Sequence, residues 1–160
     1  MLSSFLKKLL FARQFFMIDG RIEVLGKKQI MLPSDVVFEL QKCDSSLCYD
    51  SVKNAVKRDI GDYAKKLGSG EGGMLKNIDD LFGTFGMGKL EMVDINFKNK
   101  TCILRLHNSP LGQNAGKSAE FQITPAVLAG VFSFLFSKDV DAKQTKQAAG
   151  NFGYCEYVIK

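Results

Sequence analysis

The 160-residue sequence predicts a single α+β domain over residues 1–160. Three observations carry that expectation. Asp19-Gly20 lies between the apolar runs 15–18 and 21–25, a strong hairpin signal because a tight type I′ turn needs positive φ at both central residues. Lys98-Asn99-Lys100 separates a second pair of strand-like runs, 90–97 and 101–106. Apolar residues recur at helical spacing between positions 48 and 67, and they fill most of the segment 123–137.

Taken in order, residues 4–13 form a first helix that carries Phe5, Leu9 and Phe11 among basic residues. The hairpin follows, and residues 28–32 add a third short strand, stopped by Pro33. Ser34 is an N-cap ahead of Val36, Val37 and Leu40, and Asp35 in the first turn complements the helix dipole. The long central helix gathers Cys48, Val52, Ala55, Val56, Ile60, Tyr63, Ala64 and Leu67 on one face. Asp50, Lys53, Lys57, Asp62 and Lys66 face away, and Gly68 stops the helix. Residues 68–73, GSGEGG, read as a flexible loop, a linker or a lid. They lack the following Lys-Ser or Lys-Thr and the strand-to-helix context of a phosphate cradle.

A shorter helix then uses Leu75, Ile78, Leu81, Phe82 and Phe85, ending at residues 86–88. In the second strand pair, Val93, Ile95 and Phe97 share one face of the first strand. Cys102, Leu104 and Leu106 share one face of the second. His107-Asn108-Ser109-Pro110 leaves the sheet for a polar loop, 111–120. The last helix takes Thr124 as N-cap and Pro125 in its first turn, where the missing donor does no harm. Ala126, Ala129, Gly130, Ser133 and Ser137 fall on one side, and large apolar residues occupy most of the rest. Such a helix is buried from several directions. A polar strand at 140–145, a Gly-rich turn and a final strand around Cys155-Glu156-Tyr157 complete the chain.

Composition excludes several functions. A content of 46% hydrophobic and 24% charged residues is that of a soluble globular protein. The most apolar stretch, 127–136, is well short of the ~18 residues expected of a membrane-spanning helix. Lys7, Lys8 and Arg13 interrupt the amino-terminal apolar segment, which has no small-residue cleavage site, so a cytoplasmic protein is expected. The net charge of +5 raises nucleic-acid binding, yet only Arg13, Arg21, Arg58 and Arg105 among 22 basic residues are arginine. The lysines are scattered, as on a solvated surface, and no nucleic-acid partner is expected.

Cys43, Cys48, Cys102 and Cys155 form no CxxC pair, and His107, the sole histidine, stands at no metal-ligand spacing from them. They read as free thiols, with Cys102 and Cys155 acting as small hydrophobes in apolar strands. Ser109 is too near His107 in sequence for triad geometry, and neither a carboxylate pair nor a nicotinamide fingerprint stands out. No catalytic residue is assigned.

Over most of its length, and most clearly in its last forty residues, the chain resembles the 4-vinyl reductase domain, whose fold is shared by small subunits of the TRAPP tethering complex. The residues that carry the resemblance are Asn108-Ser109, Ala129-Gly130, and Gly150 with Cys155-Glu156-Tyr157-Val158-Ile159. It implies an antiparallel sheet flanked by helices, a stand-alone archaeal-type member, small-molecule binding, and a homodimer formed through amino-terminal elements. Zinc-binding members of the family end in a pattern like E-x-x-C-x(7)-C, with another Cys just ahead of the small-residue helix. Here those positions hold Gln144, Gln147 and Cys155, with Phe121 or Gln122 at the earlier one, so no zinc and no other cofactor is expected.

The expected site is an apolar pocket between the small-residue helix and the sheet, lined by Leu106, Ala126, Ala129, Gly130, Ser133 and Tyr157. His107 or Tyr157 supplies the polar handle for a small hydrophobic ligand. The alternative is that the same residues simply close the core. A scaffold of TRAPP type would instead use apolar surface for association, and a vinyl reductase-like enzyme is the least favoured reading.

Overall fold

The computed structural model describes residues 4–40, 45–111, 123–148 and 153–160. The chain divides into two compact units, Met1–Pro33 and Ser34–Lys160.

In the first unit, α1 (Ser4–Phe11) precedes a three-stranded antiparallel meander of β1 (Phe15–Ile18), β2 (Arg21–Val24) and β3 (Lys27–Gln29). Asp19 and Gly20 both have positive φ, 52° and 72°, so the first turn is of the expected kind. Leu25 and Gly26 repeat it at 50° and 75°, making a second tight turn where the sequence suggested continuing strand. A leucine in the left-handed region is costly, and Leu25 is buried and hydrogen-bonded through its N–H to the Gln14 carbonyl at 2.7 Å. Phe5 and Leu9, four apart, are the buried residues of α1. Phe11 falls on another side of the helix and is 94% exposed. β3 ends at Gln29 rather than reaching Leu32, and Ile30, Met31 and Leu32 are exposed.

The second unit begins with α2 (Ser34–Leu40), α3 (Ser45–Lys66) and α4 (Glu71–Thr84). Half of the expected 68–73 loop is helical. Gly70 sits in extended backbone as the N-cap of α4, and its carbonyl accepts the Met74 N–H at 2.9 Å, so residues 71–73 form the first turn. Then come β4 (Lys89–Asn96), β5 (Thr101–His107), α5 (Ile123–Leu135), β6 (Ala142–Gln147) and β7 (Tyr154–Ile159). The four strands make one antiparallel sheet in the order β4-β5-β7-β6, two hairpins joined along β5 and β7.

One face of this sheet is apolar. Cys102, Leu104 and Leu106 of β5 alternate with Cys155, Tyr157 and Ile159 of β7, and all are buried. On β4 the register shifts between Met92 and Asp94, so Leu90, Met92 and Ile95 oppose Leu106, Leu104 and Cys102. The expected face of Val93, Ile95 and Phe97 is thereby broken, because the irregularity turns Val93 to solvent. A similar shift on β6 lies between Gln144 and Lys146.

Helix α5 packs against β6 and β7 on one side and against α3 and α4 on others. Ten of its thirteen residues are buried, which matches the all-round apolar pattern, while Val127 and Phe134 stay half-exposed. Its first residue is Ile123, so Thr124 lies inside the helix rather than capping it.

Candidate functional site

The expected lining residues come together only in part. Leu106 and Tyr157 project from the apolar face of adjacent strands, and Ala126 and Ala129 are fully buried on α5, which packs against β7. Gly130 serves a different neighbour. A Cβ there would fall 2.5 Å from the Lys53 carbonyl oxygen and 2.9 Å from the Val56 Cβ, so glycine lets α5 touch the backbone of α3. Ser133 is fully committed as well. Its hydroxyl accepts the Val140 N–H at 3.1 Å and donates to the Val140 carbonyl at 3.3 Å, holding the chain that leads into β6.

His107 lies on the opposite face of the sheet from Leu106, because successive strand residues alternate. The expectation that either His107 or Tyr157 would serve one pocket therefore joins residues that the strand separates. His107 Nε2 is 2.7 Å from Glu91 Oε2 and donates to that carboxylate, with the Tyr154 ring beside it. Next to this pair runs a row of opposed charges across all four strands: Glu91, Arg105, Glu156 and Lys146. Arg105 Nη1 stands 3.8 Å from Glu91, and its Nε donates to Glu156 Oε2 at 3.2 Å. Lys146 Nζ donates to Glu156 Oε1 at 3.1 Å. The side chain of Glu156 is only 8% exposed. Hydrogen bonds from Lys146 and then Arg105 hold its carboxyl below the usual carboxylate range. The sequence hides this row, since opposed charges on four strands align only once the register is known.

The polar centre of the apolar face is the Tyr157 hydroxyl. It donates to Gln144 Oε1 over a long 3.4 Å, with Cys155 and Thr124 close by. Burial first, then the neighbouring Cys155, pushes the phenol well above its ordinary value. Burial likewise raises the Cys155 thiol. Thr124 Oγ1 faces this group from the first turn of α5, is wholly buried, and makes no hydrogen bond of good geometry. Sequence reasoning placed Thr124 as a cap and Gln144 as a replaced metal ligand, and neither as a neighbour of Tyr157.

Gln147 pairs with Cys155 across β6 and β7, next to Gln144 and Tyr157. Two amides and one thiol kept protonated by burial do not suit zinc, which takes thiolate, imidazole or carboxylate ligands. Phe121 and Gln122 lie outside the described residues, as do Cys43 and Gly150. Among the described residues no three His, Cys, Asp or Glu side chains gather as a metal site, and no helix is long and apolar enough to cross a membrane. Cys48, Cys102 and Cys155 are free thiols, and burial pushes Cys102 up to about 12.

No protein-family model matches the sequence, and no curated protein matches it significantly. Solved structures do. The phenol-responsive sensory domain of the transcription activator PoxR, crystallised with phenol, superposes with a TM-score of 0.70 at 18% identity. That match covers 99% of this chain and 90% of that one. A vinyl-4-reductase family protein from Methanocaldococcus jannaschii gives 0.50 at 16% identity, over 82% and 83% of the two chains. A trafficking protein particle complex subunit 3 from Naegleria fowleri, covalently bound to palmitic acid, gives 0.52 at 12% identity, over 79% and 88%. The chain has the 4-vinyl reductase/TRAPP-subunit fold. The α+β architecture with antiparallel sheets and flanking helices agrees with that resemblance.

Proposed function

We propose that the second unit binds a small apolar molecule carrying one hydrogen-bonding group, as a binding or sensing module without a reaction or metal of its own. The observation that carries this reading is the Thr124 hydroxyl, buried without a good hydrogen bond beside a Tyr157 hydroxyl whose own bond is long. An unsatisfied buried hydroxyl costs about 1–3 kcal/mol, and a ligand group bonded to Thr124 beside Tyr157 would recover it. Leu106, Ala126 and Ala129 would contact the apolar body, and small side chains on the helix favour room for it. The likeness to a sensory domain crystallised with phenol adds support to this ligand class.

Titration with phenol, followed by calorimetry and by amide shifts around Thr124 and Tyr157, tests the reading. Saturable binding is expected, weakened about tenfold by Tyr157→Phe or by Thr124→Val, with little change in melting temperature. Absence of saturable binding, or binding indifferent to both substitutions, overturns it.

A second reading concerns assembly and is compatible with the first. Leu10, Phe11, Met17, Ile18, Ile30 and Met31 leave an unusual amount of apolar side chain exposed in residues 4–33. This favours a homodimer that covers them.

A further inference from the structure

On the face of the four-stranded sheet opposite the apolar one, a second row of side chains runs beside Glu91, Arg105, Glu156 and Lys146. The strand pairings align Asp94, Ile103, Val158 and Lys143 in the same order across β4, β5, β7 and β6. In both rows the acid stands on β4 and the lysine on β6. The register shifts preserve this polarity, because Val93 and Thr145 are the residues left out of the pairing. The face is partly open: Asp94 and Lys143 are exposed, Ile103 and Val158 half-buried, and the Lys146 side chain is 69% exposed. Among the described residues Asp94 and Lys143 make no ion pair. Three strand spacings, about 14 Å, separate them within one sheet, more than the two side chains can bridge.

A twofold axis parallel to the strands, set between two copies of this face, brings β4 opposite β6 and β5 opposite β7. Each row then faces the same row of the second copy. Asp94 meets Lys143, Ile103 meets Val158, Glu91 meets Lys146 and Arg105 meets Glu156, each pair twice and each complementary. Lys89 stands in the row of His107 and Tyr154, where the chain beside β7 is Ala148, so no lysine opposes it. An axis along the rows would instead set carboxylate against carboxylate. Stacked sheets keep their strands within about 30° of each other, so the two central rows stay matched.

We propose that this face docks a second copy of the chain in that twofold arrangement. Strand spacing and rise give it about 400–500 Å2 per copy, against ~800 Å2 in a standard interface, so the association is weak and sensitive to salt. It is a contact apart from the exposed apolar residues of the first unit.

Carbodiimide joins a carboxylate to an amine without a spacer, so an Asp94–Lys143 link can form only between copies. Treating a mixture of 15N-labelled and unlabelled full-length protein should give a dimer band whose Asp94–Lys143 peptide pairs one chain of each isotope. Asp94→Lys and Lys143→Asp each place like charges twice across the contact. Each should weaken self-association about tenfold in sedimentation velocity at low salt, with the melting temperature held. An equal mixture of the two variants sets lysine against aspartate at both positions and should recover the parent's association. An Asp94–Lys143 link confined to the monomer band, a dimer linked only through the first unit, single variants that associate like the parent, or a mixture that fails to recover each overturn it.

Discussion

At Gly130 the backbones of α3 and α5 come so close that any side chain must displace a carbonyl group. Gly130→Ala is therefore expected to cost about 1–3 kcal/mol in urea unfolding, the usual range for overpacking a filled contact. An unchanged midpoint would mean that α3 yields freely. The stripe of Ala126, Ala129, Gly130 and Ser133 is legible in the sequence as a run of small residues at helical spacing. Its division of labour is not. Spacing reports which residues share a side, while the partner of each depends on contacts distant in sequence: Gly130 meets Lys53, Ser133 meets Val140, and α5 as a whole meets the sheet. Thr124 shows the same limit, since its type marks a helix start but says nothing of the Tyr157 hydroxyl beside it.

Between elements, two charged groups make pH-dependent ties. Lys53 of α3 has a side chain only 6% exposed, and its Nζ donates to Asp141 at 2.7 Å and Asp139 at 3.1 Å. Tyr49 adds a bond from its hydroxyl to Asp141 and accepts the Ala142 N–H. Burial pulls the Lys53 pKa down, but the bonds to Asp141 and Asp139 outweigh it and leave the value above 10.5. A raised folded-state value stabilises fully below 10.5 and is lost as pH rises through it. Tyr49, raised chiefly by burial, loses stability in the same direction. Lys53→Met should flatten the fall in stability above that pH, read by urea unfolding across alkaline buffers, and an unaltered slope would remove the tie. Glu156 works from the other end. Its lowered value stabilises above 4.5 and is lost as pH falls below it, so Glu156→Gln should make the acid limb of the stability curve shallower. An identical acid limb in the variant would count against that role.

At this scale the strands and helices were largely readable, because alternation and helical spacing are local signals. The three-residue first turn of α4 was hidden by its glycines. The irregularity at Val93 was hidden because it belongs to pairing with β5, not to β4 alone.

For the molecule as a whole, the exposed apolar residues of the first unit bear on assembly. If a homodimer covers Leu10, Phe11, Met17 and Ile18, deletion of residues 1–14 should yield monomer or insoluble protein. Native mass spectrometry decides it, and a soluble, equally stable dimer after the deletion would overturn the assembly reading. The fold itself was legible from the two hairpins, the small-residue helix and the Cys155-Glu156-Tyr157 ending, and it agrees with the solved structures despite identities of 12–18%. The site was less so, because apolar periodicity describes a closed core and a ligand wall in the same way.

The register shifts on β4 and β6 have a consequence beyond geometry. These are the outer strands of the four-stranded sheet, and a bare outer strand is a template on which another chain can continue the hydrogen-bonded ladder. Each is interrupted partway along its length, and β6 also carries Lys143 and Lys146. Backbone-to-backbone growth into filaments is thereby discouraged at both ends of the sheet. Association through the edges of this sheet is thereby left to side-chain chemistry, which is selective, rather than to the indiscriminate pairing of amyloid.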